Sequence, residues 1–497
     1  MLNCIENTTN INYLKHVAKL LIQSNLILQD QNNRLLKQTT DHEQLKLELD
    51  DKLCLLKKRF FGSKSEKLQS DRPSGRQKEL LPHNEPPVVV PSSELSELEQ
   101  DEIVHYITSY NESCSCPKCG EAGLTEMKGQ FEESNEIDVI ERTYVQRKHK
   151  RQKYRCKACE TITTAKGQEK LRPGTKYSID FAVNIAVDKF SYHLPLERIE
   201  RQMQEKGLKV DSKQLYSLTE MLYLNLEPIA EKIRQEIHNY GYIHIDETRG
   251  KILKTNTNGY IWAICNKFGA YFQYETTRSG AVAEEMLEGF SGTIINDGFS
   301  RYNRFTKNKE SKIKVTNCWA HARRKFFECK ENYPAAIEML ELIKNLYDVE
   351  HDAGNFEELA RLRKERSSPI IDEIKEWLHS HEPDYLPRSG LGKAIRYTHS
   401  LWKGLTHFLE DPQIPLDNNT AERALRNPVK GRDNYNGYMS INGADTAMFF
   451  YTIVETCKLL RLNPRPYLSE MARRHWRGEE LLTPYEFAKN LVTRSEA

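Results

Sequence analysis

The sequence predicts a multidomain protein of the α+β class, and three observations support this prediction. The chain has 497 residues, which is several times the length of one ordinary domain. Leucines recur every seven residues near its start, a spacing typical of a long helix that pairs with another helix. Between about residues 240 and 320, the pattern changes to short apolar runs bounded by glycine and polar residues, which is typical of strands.

Composition and charge limit the class of protein. Apolar residues make up 38% of the chain, the mean hydropathy is −0.70, and no run approaches the roughly 18 apolar residues of a membrane span. The first ten residues lack the basic and apolar segments of a secretory signal, so we expect a cytoplasmic location and no membrane partner. The net charge of +2 does not by itself indicate nucleic acid, although a neutral total can conceal local basic surfaces.

The N-terminal region is predicted to be a coiled-coil oligomerisation helix over residues 1–68, with a basic end, followed by a flexible linker over residues 69–110. Asparagine and other polar residues fill most of the second position of the heptad, which favours a defined register at a cost in stability. The alternative is a single amphipathic helix packed on its own chain. The heptad leucines are Leu14, Leu21, Leu28, Leu35, Leu49 and Leu56.

Residues 111–172 are predicted to form a zinc ribbon that binds DNA. Two Cys-x-x-Cys pairs supply the four thiolates of a closed structural Zn²⁺ site, and redox chemistry is the competing interpretation. The ligands are Cys116, Cys119, Cys156 and Cys159. Between the pairs lies a segment rich in Lys and Arg and without acids. The candidate DNA-binding residues in it are Arg147, Lys148, Lys150, Arg151 and Lys153.

Residues 173–236 are predicted to be helical, with the outline of a helix-turn-helix. One helix ends at Gly207, and a second begins near Asp211. The second helix of such a unit enters the major groove, so Lys213 is a further candidate for DNA contact. A simple helical hairpin has the same pattern, and the sequence leaves both interpretations open.

The next region is predicted to be a ribonuclease-H-like α/β catalytic domain, formed by residues 237–320 and 413–460. Its order is three strands, a helix, a strand, a helix and a strand. Asp246 is expected to end the first strand and Asp297 the fourth, and neighbouring strands would bring the two carboxylates together. Two Mg²⁺ (or Mn²⁺) ions held by carboxylates support phosphoryl transfer without a covalent intermediate.

Glu422 is the candidate for a third carboxylate, near the start of a later helix that Asp417, Asn418 or Asn419 can cap. Asp417 and Glu247 are rival acids, the first more suited to capping and the second expected on the opposite face of its strand from Asp246. Three basic residues follow Glu422 and are candidates for phosphate contact, with Arg426 on the same helical face. They are Arg423, Arg426 and Lys430.

Residues 321–412 are predicted to be an α-helical insertion that splits the catalytic domain, and residues 461–497 a C-terminal tail. At the start of the insertion, His321, Arg323 and Arg324 follow a strand and are further candidates for DNA contact, although a lone histidine is as often a structural residue.

Several stretches, in order along nearly the whole chain, form a recognisable set: residues 61–67, the two cysteine pairs, and residues 189–196, 244–248, 318–327 and 417–426. In these stretches the sequence resembles transposases of the insertion sequence sixty-six family. The resemblance implies a DDE transposase that binds the inverted repeats at its element's ends and acts on double-stranded DNA at the nucleoid. It also implies that Asp246, Asp297 and Glu422 are its triad, and that the same element encodes small companion proteins.

One departure from the family is residues 481–487, where a tryptophan-bearing segment is usual, so the role of the tail is open. The alternatives to a transposase are a captured DNA-binding protein that no longer cleaves, and a repair or junction nuclease.

Overall fold

A computed structural model describes residues 143–155, 157, 162–299, 302, 305 and 312–495, together with Gln29. These residues divide into two compact units, one formed by residues 143–229 and 456–495 and the other by residues 230–455. The predicted linker, all but Gln29 of the predicted N-terminal helix, and the zinc-ligand candidates Cys116, Cys119, Cys156 and Cys159 lie outside the described residues.

The first unit begins with a short antiparallel hairpin and continues with helices. They are β1 (Lys153–Arg155), β2 (Ile162–Thr164), α1 (Ile179–Phe190), α2 (Leu196–Glu205), α3 (Ser212–Leu226) and α4 (Pro228–His238), the last of which continues into the other unit. The two helices predicted for the helix-turn-helix are present as α2 and α3. Gly207 follows α2 with a φ of 79°, which glycine adopts without steric cost. The carboxylate of Asp211 caps α3 by accepting a 2.7 Å hydrogen bond from the N–H of Gln214.

The second unit contains a mixed five-stranded sheet with the order β5-β4-β3-β6-β7. Its elements are β3 (Tyr242–Ile252), β4 (Thr257–Cys265), β5 (Ala270–Glu275), α5 (Gly280–Met286), β6 (Gly292–Asn296) and β7 (Ile313–Asn317). The first three strands form an antiparallel meander, whereas β6 and β7 run parallel to β3. The five strands and the helix between the third and fourth strands therefore occur in the predicted order. Most of the segment between the fourth and fifth strands, where a second helix is predicted, lies outside the described residues.

Strand β3 corrects one prediction, because Asp246 lies within the strand and does not end it. The strand continues to Ile252, since residues 248–252 pair with residues 257–261 of β4. The parallel pairing of β3 with β6 ends earlier, at His244 opposite Ile295. Asp246 therefore still lies just beyond the carboxyl end of the parallel part of the sheet.

The segment after β7 is helical, and its apolar side chains form one large cluster and one small cluster. Its elements are α6 (Trp319–Cys329), α7 (Ala335–Asp352), α8 (Phe356–Leu362), a π-helical turn (Arg363–Ser367), α9 (Ser368–His381), a 3₁₀ turn (Glu382–Asp384), α10 (Gly390–Thr406) and a second 3₁₀ turn (His407–Leu409). The large cluster, whose buried side chains include Phe326, Leu346 and Ile395, also contains Ile295 of β6. The helical segment therefore packs directly on the sheet.

A buried ion pair holds the end of this helical segment. Arg363, in the π-helical turn, is 2% exposed, and its Nε and Nη2 donate to the two carboxylate oxygens of Glu350, each at 2.7 Å. The same guanidinium donates to the backbone carbonyls of Phe408, Asp411 and Ile414. All five guanidinium donors have a fixed fork geometry, so one side chain fixes the loop that leads out of the segment.

The remaining helices are α11 (Asn419–Tyr435), α12 (Ile441–Leu459), α13 (Pro464–Arg477) and α14 (Pro484–Ser495). The predicted C-terminal tail therefore contains two helices, and α13 packs on α1 within the first unit. Arg465 donates to Asp188 at 2.6 Å, and Arg473 donates to Asp180 at 2.7 Å. Within the described residues, no helix has both the length and the apolar character that crossing a bilayer requires.

Candidate active site

Asp246 is a half-buried carboxyl on β3, opposite Ala263 of β4. Its Oδ1 accepts a 2.8 Å hydrogen bond from the backbone N–H of Glu247. Burial, and then the negative charges of Asp297, Glu247 and Glu422, raise the pKa of Asp246 to about 8. The three predicted catalytic carboxyls therefore act on one another electrostatically.

Asp297 directly follows β6, as the sequence predicted. Its Oδ1 accepts a 2.9 Å hydrogen bond from the N–H of Phe299, and its backbone carbonyl accepts a 2.6 Å hydrogen bond from the hydroxyl of Tyr397 on α10. Gly298 follows with a φ of 90°, and a Cβ there would lie 2.4 Å from Leu401. The turn after Asp297 thus needs glycine, because α10 approaches it closely.

Glu422 lies in the first turn of α11, and Asn418 fixes the start of that helix to β3. Asn418 lies at the N-cap position, but its side chain makes no cap hydrogen bond. Instead, its Oδ1 lies 3.0 Å from Nδ1 of the buried His244, and its Nδ2 donates to the carbonyl of Ile245 at 3.0 Å. Asp417, one residue before the N-cap, accepts a 3.0 Å hydrogen bond from the N–H of Asn419, the first residue of the helix. Glu422 is therefore held beside the strand that carries Asp246.

An open cleft of about 460 Å³ lies between α11 and β3. Asp246 and Glu422 line it together with two cations of α11, Arg426 and Lys430, whose side chains are exposed. Residues 422, 426 and 430 are each four apart, so they lie along one face of the helix. The cleft thus combines carboxylates with cations on one wall.

The surroundings of Glu422 suit a carboxylate that binds a cation. Its Oε1 is buried and, among the described residues, accepts no hydrogen bond. His321 Nδ1 lies 3.6 Å from Oε1, and Arg324 Nη2 lies 3.9 Å from Oε2. A buried carboxylate oxygen that lacks a donor is costly unless a cation compensates it, and oxygen is the ligand that Mg²⁺ prefers.

The three carboxylates do not form a tight cluster. In the described part of the chain, the group of possible metal ligands whose atoms all lie within 4.8 Å of one another is elsewhere, on α9 and α10. At least two of the three carboxylates therefore lie further apart than the ligand atoms of the α9 and α10 group. Two ions about 3.5 to 4 Å apart, each about 2 Å from its oxygen ligands, need carboxylates spread over a wider span than one ion does.

Glu247, the rival acid, is already bound by its neighbours. Its Oε1 accepts a 2.6 Å hydrogen bond from Nε of Arg278, and its Oε2 accepts a 2.7 Å hydrogen bond from the hydroxyl of Tyr302. Burial nevertheless raises the pKa of Glu247, against the effect of those two partners. Since both oxygens are occupied, Glu247 is better suited to supporting the site than to binding a metal.

The other basic candidates lie on both units. Arg423 on α11 is exposed, and His321, Arg323 and Arg324 on α6 are half-buried. In the first unit, the five basic residues of the predicted zinc-ribbon segment and Lys213 at the start of α3 are all exposed. The five are Arg147, Lys148, Lys150, Arg151 and Lys153.

Comparison with known proteins identifies the chain. Residues 174–446, more than half of the sequence, match the family described as "Transposase IS66 family". The chain belongs to this family of transposases. In this transposase, the matched region includes the whole cleft and all three carboxylates, so the resemblance seen in the sequence is confirmed. Residues 113–160 also match the "zinc-finger binding domain of transposase IS66", which supports zinc as a cofactor.

Three relatives from Sinorhizobium fredii align with most of the transposase. The uncharacterized protein y4hP is 27% identical, over 73% of this chain and 70% of its own length. The uncharacterized proteins y4jD and y4qI are 26% and 25% identical, over 76% and 75% of this chain and 77% and 74% of their own lengths.

Several residues that build the site had no such role predicted from the sequence, and Asn418 was expected only as a helix cap. His244 and Asn418 lie in the stretches that carry the family resemblance, so a signal for them existed. Tyr397 and Arg278 lie in no recognisable motif, and their roles follow from long-range contacts alone.

Proposed function

We propose that this transposase cleaves DNA at the ends of its element and joins the freed 3′-hydroxyls to target DNA. Asp246, Asp297 and Glu422 would hold two divalent cations, Mg²⁺ or Mn²⁺. The observation that supports this proposal best is the cleft, which Asp246 and Glu422 line together with the exposed cations Arg426 and Lys430. The negative charge of Asp297 contributes to the raised pKa of Asp246, which supports Asp297 as the third carboxylate.

Divalent ions bound by these carboxylates would activate the attacking oxygen and stabilise the leaving oxygen of an in-line displacement. The chain's own residues prepare the site. Asn418 holds α11 on β3, and Tyr397 holds the backbone at Asp297, so both elements keep their positions. A half-buried carboxyl with a raised pKa must lose its proton to bind a cation, so we expect metal affinity to rise with pH up to about 8.

The basic residues have a separate part in this proposal, which is to bind the phosphate backbone. Arg426 and Lys430 would contact phosphates beside the carboxylates, with Arg423, His321, Arg323 and Arg324 around them. The exposed basic segment and α3 of the first unit would contact DNA further along. Binding through phosphates depends steeply on salt and carries little sequence information.

The domain arrangement is also part of the proposal. The sheet order and the mixed strand directions support a ribonuclease-H-like domain with the helical segment α6–α10 as an insertion. We propose that Cys116, Cys119, Cys156 and Cys159 hold the structural zinc, and that the N-terminal helix joins two copies of the chain. Small companion proteins of the same element are proposed partners.

The test is a strand-transfer assay with a labelled transposon-end duplex and a supercoiled target in Mg²⁺, with and without the companion proteins. Asp246→Asn, Asp297→Asn and Glu422→Gln each remove one charge with little change of shape. Each is expected to reduce joined product by at least about 100-fold. Mutating a residue that only hydrogen-bonds to a metal ligand typically lowers metal affinity or activity by about 10- to 100-fold, and loss of the ligand itself should cost more.

Asp433→Asn is the matched control for Glu422. Asp433 lies on the same helix, about 16 Å further along its axis, and its side chain is 65% exposed. Its loss is expected to leave product unchanged. Binding without cleavage by the unaltered protein under every condition would favour a captured DNA-binding protein, and cleavage without joining would favour a nuclease. Cleavage by all three variants would refute the assigned triad.

A further inference from the structure

A second cluster of possible metal ligands lies in the helical segment, apart from the carboxylates of the cleft. His379 is in the last turn of α9, Glu382 begins the 3₁₀ turn that follows, and His399 is on the facing helix α10. Each offers one ligand atom, and these three atoms all lie within 4.8 Å of one another. We propose that this cluster, the α9–α10 site, binds a transition-metal ion of the Zn²⁺ class.

The donor set determines the kind of ion. Two imidazoles and one carboxylate suit Zn²⁺, or Ni²⁺ and Cu²⁺, whereas Mg²⁺ and Ca²⁺ prefer oxygen ligands alone. Three protein ligands leave a fourth position for water. The α9–α10 site therefore differs in chemistry from the all-oxygen carboxylates of the cleft and from the cysteines proposed to bind zinc.

One pair of ligand atoms in the cluster already has the spacing that a tetrahedral ion requires. Nε2 of His399 lies 3.4 Å from Oε2 of Glu382. Two ligands of a tetrahedral Zn²⁺ with bonds of 2.0–2.1 Å lie about 3.3 Å apart, so this pair needs almost no movement. The imidazole of His379 is exposed, with its ring centroid 5.0 Å from that of His399. Its ligand nitrogen lies within 4.8 Å of the other two ligand atoms and would move closer to them to complete the site.

The environment of the His399 imidazole supports a role as a metal ligand. Its Nε2 is buried and, in the part of the chain that the structure describes, makes no hydrogen bond of good geometry, although Oε2 of Glu382 lies 3.4 Å away. A buried imidazole nitrogen without a hydrogen bond costs free energy that a metal–nitrogen bond would compensate. The spacing of His379 and Glu382, three residues apart on one continuous helical run, also places both side chains on the same face.

The position of the site gives it a consequence for the active site. His399 lies two residues after Tyr397, whose hydroxyl holds the backbone of Asp297. An ion at the α9–α10 site would join the end of α9 to α10 and so restrict the motion of the helix that carries Tyr397. The site is accessible, because His379 and Glu382 are exposed.

The experiment measures Zn²⁺ bound to the full chain by equilibrium dialysis and elemental analysis. The variants are His379→Gln, Glu382→Gln and His399→Gln. The matched control is His407→Gln, since His407 follows α10 and pairs with Glu410 at 3.1 Å but belongs to no described cluster of three ligands. Zinc bound at the cysteines or at the cleft contributes equally to the metal content of every variant and of the unaltered chain, so it does not affect the difference between them.

We expect the unaltered chain and His407→Gln to bind one more equivalent of Zn²⁺ than each of the three ligand variants. Competition with a chelator is expected to show a loss of affinity of at least about 100-fold on removing one ligand. With Co²⁺ as the probe, the difference between the unaltered chain and His379→Gln should show ligand-field absorption without sulfur-to-cobalt charge transfer. Zn²⁺ should also slow hydrogen exchange in α10 in the unaltered chain and not in His379→Gln.

Equal metal content in the unaltered chain and in His379→Gln would overturn the proposal, and would mean that the His399–Glu382 pair exists without an ion. His379 is exposed, so its replacement is not expected to unfold the protein, and this comparison remains informative even where His399→Gln is unstable. None of these measurements depends on DNA cleavage, so failure here leaves the proposed function untouched.

Discussion

Replacing Asp246 with asparagine is expected to stabilise the protein at neutral pH when divalent ions are absent. The pKa of Asp246 is about 8 in the folded protein, against about 3.9 in an unfolded chain. Because the folded-state pKa is raised, the stability from this carboxyl is full below pH 4 and is lost as the pH rises from about 4 through 8. Asparagine keeps the shape of the side chain and the acceptor for the N–H of Glu247, and it removes the charge.

The magnitude follows from the pKa shift. At pH 7, about 3 units above the unfolded-state pKa, the cost of ionising the folded-state carboxyl without any screening would be about 4 kcal/mol, at 1.36 kcal/mol for each pKa unit. The carboxyl is only half-buried, and water screens and rehydrates it, so we expect about 1–2 kcal/mol. For a unit of this size, that gain raises the melting temperature by about 2–8 °C.

Thermal denaturation in a chelator, followed by tryptophan fluorescence from pH 4 to pH 8, tests this expectation. Four of the five tryptophans lie in the unit that contains Asp246, so fluorescence reports mainly on it. They are Trp262, Trp319, Trp377 and Trp402. Asp433→Asn, which removes a charge from an exposed position, should show no such gain. Added Mg²⁺ should stabilise the unaltered protein more than Asp246→Asn.

A gain from Asp246→Asn that is the same at pH 4 and pH 8 would refute this reasoning, because it would not come from a titrating carboxyl. Destabilisation at every pH would refute it as well, and would mean that Asp246 contributes to the fold as a charged group. Either result would also remove the expectation that metal binding releases a proton.

Three further substitutions test the supports of the site. Asn418→Ala removes the link from α11 to β3 and leaves a buried imidazole without its partner, so it should cost about 1–3 kcal/mol in denaturant unfolding. Glu350→Gln leaves the charge of Arg363 buried without a counter-ion and should cost about 3–5 kcal/mol by the same measurement; a cost near zero would mean that water reaches the pair. Tyr397→Phe removes the hydrogen bond to the backbone of Asp297 and should lower the rate of strand transfer while the affinity for a transposon-end duplex, measured by filter binding, stays unchanged.

The elements of the sheet were predictable because each strand is a local apolar run. The second half of β3 was not, since Arg249 and Lys251 interrupt the apolar pattern and the strand is completed by pairing with β4. Local sequence carries little information about such pairing. The same limit explains why the role of Asn418 was not predicted. Asparagine is a common helix cap, but this side chain hydrogen-bonds to two residues of β3 that lie 173 and 174 positions earlier in the sequence.

Asp246 and Asp297 were candidates because each follows an apolar run, and Glu422 because it lies near the start of a capped helix, but the residues that contact these carboxylates were not predictable. Tyr397 is 100 residues away from Asp297 along the chain, and Arg278 is 31 residues away from Glu247. The C-terminal region shows the same difficulty. Its helix α13 bonds to α1 over 277 residues through Arg465, so a pattern that looks like an independent tail belongs to an earlier unit.

The hydrogen bonds of Arg363 connect the π-helical turn to the loop that precedes Glu422, so we expect a change at this turn to affect the candidate active site. The loop that Arg363 fixes at Ile414 leads within a few residues to Asn418 and Glu422. A small molecule or antibody that wedged open the corner between α7 and the π-helical turn would release this loop without entering the cleft. Inhibition of that kind would not compete with DNA or with metal ions, and resistance to it would arise far from the carboxylates.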